Sequence, residues 1–375
     1  MKKILIFVDS FLPGFKGGGP ITSIANLVDL LNDSFDILIC TKNHDFKETK
    51  SYTEVESNKV TKYLDYKVIY LSQTNKVAIS NVINEYNPDI LYLNSFFSKI
   101  TQIVMFLNKL YFHKKLVVAP RGELQENALS IKKTKKMLYL KLYKFLRLYK
   151  NIVFHSTDDI ETESIRNLFN INKVIQLSNA VKLYSFDPLI KAKNGLKLIF
   201  VSRISKKKNL LFALEILRNI DIDITFDIYG PKEDIEYWNK CNKIIKELPN
   251  TIIVNYKGCL KQSEIISVMR EYNAFFFPTL SENFGHVIVE AMQSGIVPII
   301  SDQTPWIDLE KYNAGYDIPL NNKKKFIETI KKLYYMDKEE YQNLSLNTMR
   351  YIKNKLNIEQ LKLDYIKFFN NIMEK

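Results

Sequence analysis

The sequence predicts an α/β protein built as two successive parallel-sheet domains, on three observations. The 375-residue chain is longer than one ordinary domain. Short apolar runs rich in β-branched and aromatic residues alternate with helix-period segments, first up to about Leu177 and again from Leu196, which is the pattern of repeated βα units. The alternation is interrupted at Phe186–Gly195, where Pro188, Gly195 and lysines read as a linker. The expected domains are therefore 1–185 and 196–355, with 356–375 a C-terminal helix able to brace the first domain.

In chain order, Lys3–Ser10 reads as a buried strand and Thr22–Leu31 as a helix, joined by a loop holding Gly14, Gly17, Gly18, Gly19 and Pro20. Successive glycines let backbone amides approach a ligand closely, so the loop is either a ligand-binding turn or a plain flexible one. It is not a dinucleotide fingerprint. Thr22 stands where the third glycine belongs, and the second strand, Phe35–Thr41, ends without an acidic residue for a ribose. Pro20 also occupies the place a Walker lysine would need. The polar stretch Asn43–Lys59 is expected to be mobile.

Strands at Lys67–Ser72, Ile90–Asn94, Leu116–Pro120, Asn151–Ser156 and Val174–Leu177 then alternate with helices at Val77–Tyr86, Ser98–Phe112, Ile131–Lys150 and Asp158–Phe169. The second series has strands at Lys197–Ser202, Ile224–Tyr229 and Thr251–Lys257, with helices at Leu210–Asn219, Ile235–Glu247 and Ser263–Glu271. It continues through Phe275–Ser301, a buried strand, a polar turn, a helix over His286–Gln293 stopped by Gly295, and a second buried strand. That helix is expected to turn Val287, Ile288, Ala291 and Met292 toward the sheet. From Lys323 the chain reads as helical.

The formal charge of +13 admits nucleic acid, an anionic membrane surface or phosphorylated substrates as partners. Against nucleic acid, no helix-turn-helix, RNA-recognition or zinc-finger pattern occurs and the basic residues are dispersed. Cys40, Cys241 and Cys259 show no paired spacing for zinc or a disulfide framework, which fits a reducing cytoplasm. Asp9 breaks the apolar run of the amino terminus, so MKKILIFVDS reads as a strand and not a signal peptide. No apolar run is long enough to cross a bilayer.

The chemistry concentrates in the Phe275–Ser301 unit. The turn between a parallel strand and its helix lies at the carboxyl edge of the sheet, where ligands bind and helix amides point at anions. Glu282 lies in the turn and Glu290 on the helix. Ionised carboxylates only accept hydrogen bonds and so suit vicinal hydroxyls, whereas the amides of Asn283, Phe284 and Gly285 suit phosphate oxygens. Hydroxyls beside phosphates describe a nucleotide sugar. Arg203 and Lys208 follow the first strand of the second domain, where a guanidinium and an ammonium can neutralise a diphosphate. Lys206 and Lys207 read as a solvated basic turn. Arg203, Gly230 and Glu282 are expected at one sheet edge. Asp221-x-Asp223 is read as a turn, not a metal pair, and His44, His113 and His286 are isolated, so no metal site is expected.

Glu282-Asn-Phe-Gly285 with Glu290, together with the Arg203 and Lys208 turn, resembles the nucleotide-sugar site of family 4 glycosyltransferases. The Gly17-Gly-Gly-Pro20 loop, Pro120-Arg-Gly-Glu-Leu124, His155-Ser-Thr157, Ser178-Asn-Ala180 and Thr304-Pro-Trp306 resemble the members that build bacterial capsular and other surface polysaccharides. The resemblance implies two Rossmann-like domains facing a cleft (GT-B) and transfer of a hexose with retention of configuration. It implies Glu290 on the ribose, Glu282 on a donor-sugar hydroxyl, Arg203 with Lys208 on the diphosphate, and Gly18 and Gly19 near the phosphate. No metal or other cofactor is then required, and no dedicated base, because the departing phosphate takes the acceptor proton. Many members place a histidine where this chain has Arg121-Gly122. Arg121 and Glu123 either contact the acceptor or form a local ion pair.

Ile131–Lys150 holds many basic residues and no acidic one. On a helix, Lys133, Lys136, Lys144 and Arg147 share one side while Leu138, Leu142, Phe145 and Leu146 spread over another. Two readings stay open: a helix on an anionic membrane, bringing the enzyme to a lipid-linked glycan at the cytoplasmic face of the membrane, or a core-facing helix with a solvated basic face. A nucleotide-sugar epimerase of the same architecture, and from another class a basic nucleic-acid-binding protein, are the alternatives to a glycosyltransferase.

Overall fold

The structure, a computed structural model, describes residues 1–130, 133–171, 173–190 and 195–374. It divides into two compact units, Met1–Lys182 with Ile358–Lys375, and Leu183–Asn357. The strands of the first are β1 (Lys3–Phe7), β2 (Asp36–Lys42), β3 (Val60–Tyr63), β4 (Tyr66–Leu71), β5 (Ile90–Asn94), β6 (Lys115–Ala119), β7 (Ile152–Ser156) and β8 (Val174–Gln176). They form one sheet in the order β3-β4-β2-β1-β5-β6-β7-β8. Every pairing is parallel except the edge hairpin β3–β4.

A parallel strand covered by helices on both faces should be apolar throughout its buried length, and β1 is from Ile4 to Phe7. Ile4 and Ile6 pack with helix Gly19–Leu31 and with Leu361, Tyr365, Phe368 and Phe369 of helix Ile358–Glu374. Leu5 and Phe7 pack on the other face with Ile79, Val82, Ile100, Val104 and Ile165. The last helix of the chain thus belongs to the core of the first unit.

The second unit holds β9 (Leu196–Val201), β10 (Ile224–Tyr229), β11 (Ile252–Gly258), β12 (Ala274–Phe277), β13 (Val297–Ser301) and β14 (Tyr316–Ile318). Their order, β11-β10-β9-β12-β13-β14, is that of a doubly wound Rossmann sheet, and all pairings are parallel. Both units are α/β with parallel, Rossmann-like sheets, as the sequence predicts. In each, the strand order reverses beside the first strand, between β1 and β5 and between β9 and β12. Ligands of such sheets lie outside the carboxyl ends at that reversal.

Several expectations are corrected. The hairpin strand β3 has no counterpart among the expected strands, because its short, half-exposed run gives little hydrophobic pattern. The stretch Asn43–Lys59 is tied down: Asn43 and Asp45 are buried, and Asp45 accepts the amides of Phe15 and Lys16 at 2.9 and 3.1 Å. The expected linker begins inside the second unit, where the Tyr184 amide donates to Gln293 and that of Leu189 to Ser345, both at 2.9 Å. Its lysine-bearing middle, 191–194, lies outside the described residues. Helix His286–Ser294 buries Val289 with Ile288, Ala291 and Met292, while Val287 is only half-buried. No helix among the described residues is long and apolar enough to cross a membrane.

Candidate functional site

Arg203 follows β9, Gly230 follows β10 and Glu282 follows β12. Parallel pairing sets all three at the carboxyl edge, with the Arg203 and Glu282 loops flanking the reversal between β9 and β12. Gly230 is there for a steric reason. Its φ is +134°, and a Cβ would lie 1.9 Å from the Ser202 carbonyl oxygen. Only a glycine lets the chain leaving β10 run this close to the turn that carries Arg203.

Across the reversal, the Lys208 ammonium and the Glu282 carboxylate form an ion pair, their side chains only 13% and 10% exposed. The Thr279 hydroxyl donates to the same Glu282 oxygen at 3.1 Å. Backbone hydrogen bonds hold the two turns together, since Leu280 N–H donates to the Lys207 carbonyl at 2.9 Å and Asn209 Nδ2 to that of Pro278 at 2.9 Å. Asn209 takes a left-handed conformation, φ 59°, that asparagine tolerates. Lys206 and Lys207 are exposed, as the solvated reading expects; desolvation, with the Lys208 and Arg203 charges adding to it and Glu282 opposing, still holds the Lys207 ammonium below the usual lysine range. Arg203 is engaged as well, its guanidinium 3.2 Å from Glu233.

The Glu282–Gly285 loop is fastened from its other side. Glu282 N–H donates to the Gln303 carbonyl at 3.0 Å, and Trp306 Nε1–H donates to the Phe284 carbonyl at 2.6 Å while its ring meets Phe284 edge-on at 5.3 Å. Gly285, φ 75°, then opens helix His286–Ser294 without any side-chain cap or acidic residue in the first turn. The positive end of that helix thus keeps its field for an anion. Glu290 lies half-buried one turn further on and accepts a hydrogen bond from Gln262. Desolvation pushes its carboxyl up to about 7, against the Gln262 hydrogen bond.

Gly18 and Gly19 belong to the first unit. Gly18, φ 65°, precedes helix Gly19–Leu31, and a Cβ on it would meet no atom within 4 Å. Pro20 sits in the first turn of the helix and not before it.

Arg121 and Glu123 do not form the local ion pair; each has other partners. Arg121, φ 56°, donates to Asn94 at 2.7 Å, to Tyr92 at 2.9 Å and to Asn179. Glu123 instead accepts the Phe96 and Phe97 amides at 2.6 and 3.0 Å and the Ser95 hydroxyl at 2.8 Å, fixing the loop after β5. Tyr92 continues to buried His155 at 2.7 Å, which also meets the Leu177 carbonyl at 3.0 Å. Burial, then the Arg121 charge, lowers the His155 imidazole to about 3, so it is a neutral structural element.

Sequence reasoning missed Thr279, Gln262 and Gln303. Thr279 alone has a visible signal, a hydroxyl directly after the strand-ending Pro278. Asp221 is paired with Lys331, as its placement in a turn allows. Among the described residues no three His, Cys, Asp or Glu side chains are grouped to hold a metal ion.

Residues 184–350 match the family model described as Glycosyl transferases group 1. No curated protein sequence matches the chain. Among solved structures, the chain resembles HepE of Anabaena in complex with UDP and glucose, with TM-score 0.73 and 14% identity over 99% of this chain and 100% of the other. It resembles sucrose-phosphate synthase of Thermosynechococcus elongatus with TM-score 0.76 and 14% identity over the whole of both chains. WaaG, a glycosyltransferase involved in lipopolysaccharide biosynthesis, gives 0.64 and 12% identity over 97% and 99%. These likenesses establish the GT-B architecture of two Rossmann-like domains. Residues 184–350, nearly the whole of the second unit, match the glycosyltransferase group 1 model, and this match supports a glycosyltransferase.

Proposed function

We propose that this glycosyltransferase moves a hexose-type sugar from a nucleoside-diphosphate sugar, with retention of configuration, to a growing lipid-linked surface glycan at the cytoplasmic face of the membrane. The observation that carries the donor assignment is the Lys208–Glu282 pair at the sheet reversal, beside the uncapped helix that begins after Gly285. An acceptor-only carboxylate, a cation and helix amides in one place suit a sugar hydroxyl and a diphosphate together. The solved relatives described with UDP or glucose agree with a nucleotide-sugar donor.

In this scheme Glu282 accepts a hydrogen bond from a donor-sugar hydroxyl and Glu290 accepts from the ribose. Lys208 and Arg203, with the amides of Asn283, Phe284 and Gly285, stabilise the charge that grows on the leaving diphosphate. Gly230 lets the Arg203 turn approach the strand end beside it. The bond from the anomeric carbon to the phosphate oxygen breaks as that to the acceptor oxygen forms on the same face. The acceptor proton passes to the departing phosphate, so no side-chain base and no metal ion is required.

A screen of UDP and GDP sugars for slow donor hydrolysis identifies the active combination. In it, Glu282→Ala and Glu290→Ala are expected to lose most of the hydrolysis. Parent-like hydrolysis by both variants refutes the site. An interconverted nucleotide sugar in place of free sugar and nucleoside diphosphate favours an epimerase.

A further inference from the structure

The two readings of the basic segment are separated by which face of the helix is covered. Helix Lys133–Phe145 buries Leu140 and Tyr143, while Ile131 lies outside the described residues. The residues expected to face a core do not: Leu138 is 70% exposed, Leu142 55% and Phe145 83%. They recur at helical spacing and form one stripe on the solvent side. Lysines 135, 141 and 144 beside them are exposed, whereas Lys136 turns inward, donating to the Ala128 carbonyl at 2.7 Å. The patch continues onto the turn Asn108–Phe112, where Leu110 and Tyr111 are 48% and 69% exposed. Lys109 donates to the Leu146 carbonyl, and Tyr143 reaches Met105 at 3.4 Å, so the two segments are neighbours. No Asp or Glu occurs in either 90–122 or 127–157.

We propose that this face of the first unit docks on an anionic lipid surface, with Leu138, Leu142 and Phe145 entering the headgroup–acyl boundary and the flanking lysines meeting lipid phosphates. An isolated exposed leucine needs no explanation. A stripe of them, bordered by cations and free of carboxylates, has the form of an in-plane membrane helix. Nucleic acid would use the lysines but would leave the Leu–Leu–Phe stripe in water, and an acidic protein partner would have no need of it to lie flat. The inference rests on the lipid-linked acceptor proposed above and names the surface that would bring the enzyme to it.

Flotation of the full chain, without donor, tests it on phosphatidylcholine vesicles with and without about one third phosphatidylglycerol. Binding is expected on the anionic vesicles alone and is expected to fall with added salt. The triple variant Leu138→Ser, Leu142→Ser, Phe145→Ser should weaken it by about tenfold or more. Lys141→Gln and Lys144→Gln should each weaken it by about fivefold. Leu363→Ser, on the separate helix Ile358–Glu374 and 60% exposed, should change nothing. Because all these side chains are exposed, thermal melting should match the parent. Equal binding to neutral vesicles, no flotation at all, or parent-like flotation by the triple variant overturns the proposal. So does a concentration-dependent dimer that the triple variant abolishes in place of lipid binding. Donor hydrolysis plays no part in the readout, so the donor site and the docking face fail independently.

Discussion

Lys208 and Glu282, far apart in the chain, close an ion pair across the reversal point of the second sheet with little of either side chain in water. One arrives on the turn after β9 and the other after β12. Their pairing explains how the site holds a cation and a carboxylate in place: each charge offsets part of the other's desolvation until a ligand takes over.

Removing one partner should therefore cost more than removing both. Lys208→Met is expected to destabilise the protein by about 2 kcal/mol, since Glu282 keeps its charge without its cation. Lys208→Met with Glu282→Gln should regain most of that, a coupling that urea melts in a double-mutant cycle would read. Both variants should lose about a hundredfold or more in donor turnover. Additive stabilities would show that the pair is not coupled.

Gly230 and Gly18 both have positive φ, yet only at Gly230 would an added methyl collide with backbone, at 1.9 Å. Gly230→Ala should cost about 3 kcal/mol or more, because the turn carrying Arg203 must move. Gly18→Ala should cost only about 1 kcal/mol of backbone strain. Denaturant midpoints of the two variants distinguish a close approach from a conformational preference.

Glu290 makes stability and ligand binding depend on pH in opposite senses. Its carboxyl, raised from 4.5 to about 7 by burial, keeps a proton in the folded protein that the unfolded chain releases. Stability from this group is fully present below about pH 4.5 and is lost as pH rises through about 7. Donor affinity should instead improve over the upper part of that range, as the carboxylate becomes a pure acceptor for the ribose. Glu290→Gln should flatten both slopes relative to the parent, in melting curves and in nucleotide titrations.

His155 contributes the reverse slope. Its imidazole is lowered from 6.5 to about 3, so the unfolded chain gains a proton that the folded one refuses. That stability is present above about pH 6.5 and is lost as pH falls toward 3. Nuclear magnetic resonance titration of the ring should find no protonation at pH 5. A normal titration would show that the burial of the ring beside Arg121 is not maintained in solution.

Phe369 is wholly buried against the first sheet, beside Phe35 and Tyr92. Phe369→Ala should cost about 3–4 kcal/mol. The loss should appear in the unfolding of the first unit, as protection from hydrogen exchange falling in β1 and β5 and not in β9.

What the sequence alone determined is whatever a short window can carry. Strand Ile90–Asn94 is legible to the residue, because a buried parallel strand is an unbroken apolar run, here Ile90–Leu93, ended by a turn-forming residue. The glutamate turn is legible for the same reason, a polar loop between an aromatic strand and a glycine-stopped helix. Partners separated by dozens of residues were decided only by the tertiary structure. Glu233 for Arg203, Gln262 for Glu290, and the Tyr92 and Asn179 acceptors of Arg121 follow from the order in which strands lie side by side. The basic helix shows the distinction most directly: its periodicity marks an apolar face, but the neighbouring elements cover Leu140 and Tyr143 and leave Leu138 and Phe145 in water. Period reports which side chains share a face, and only the packing of distant segments decides which face is covered.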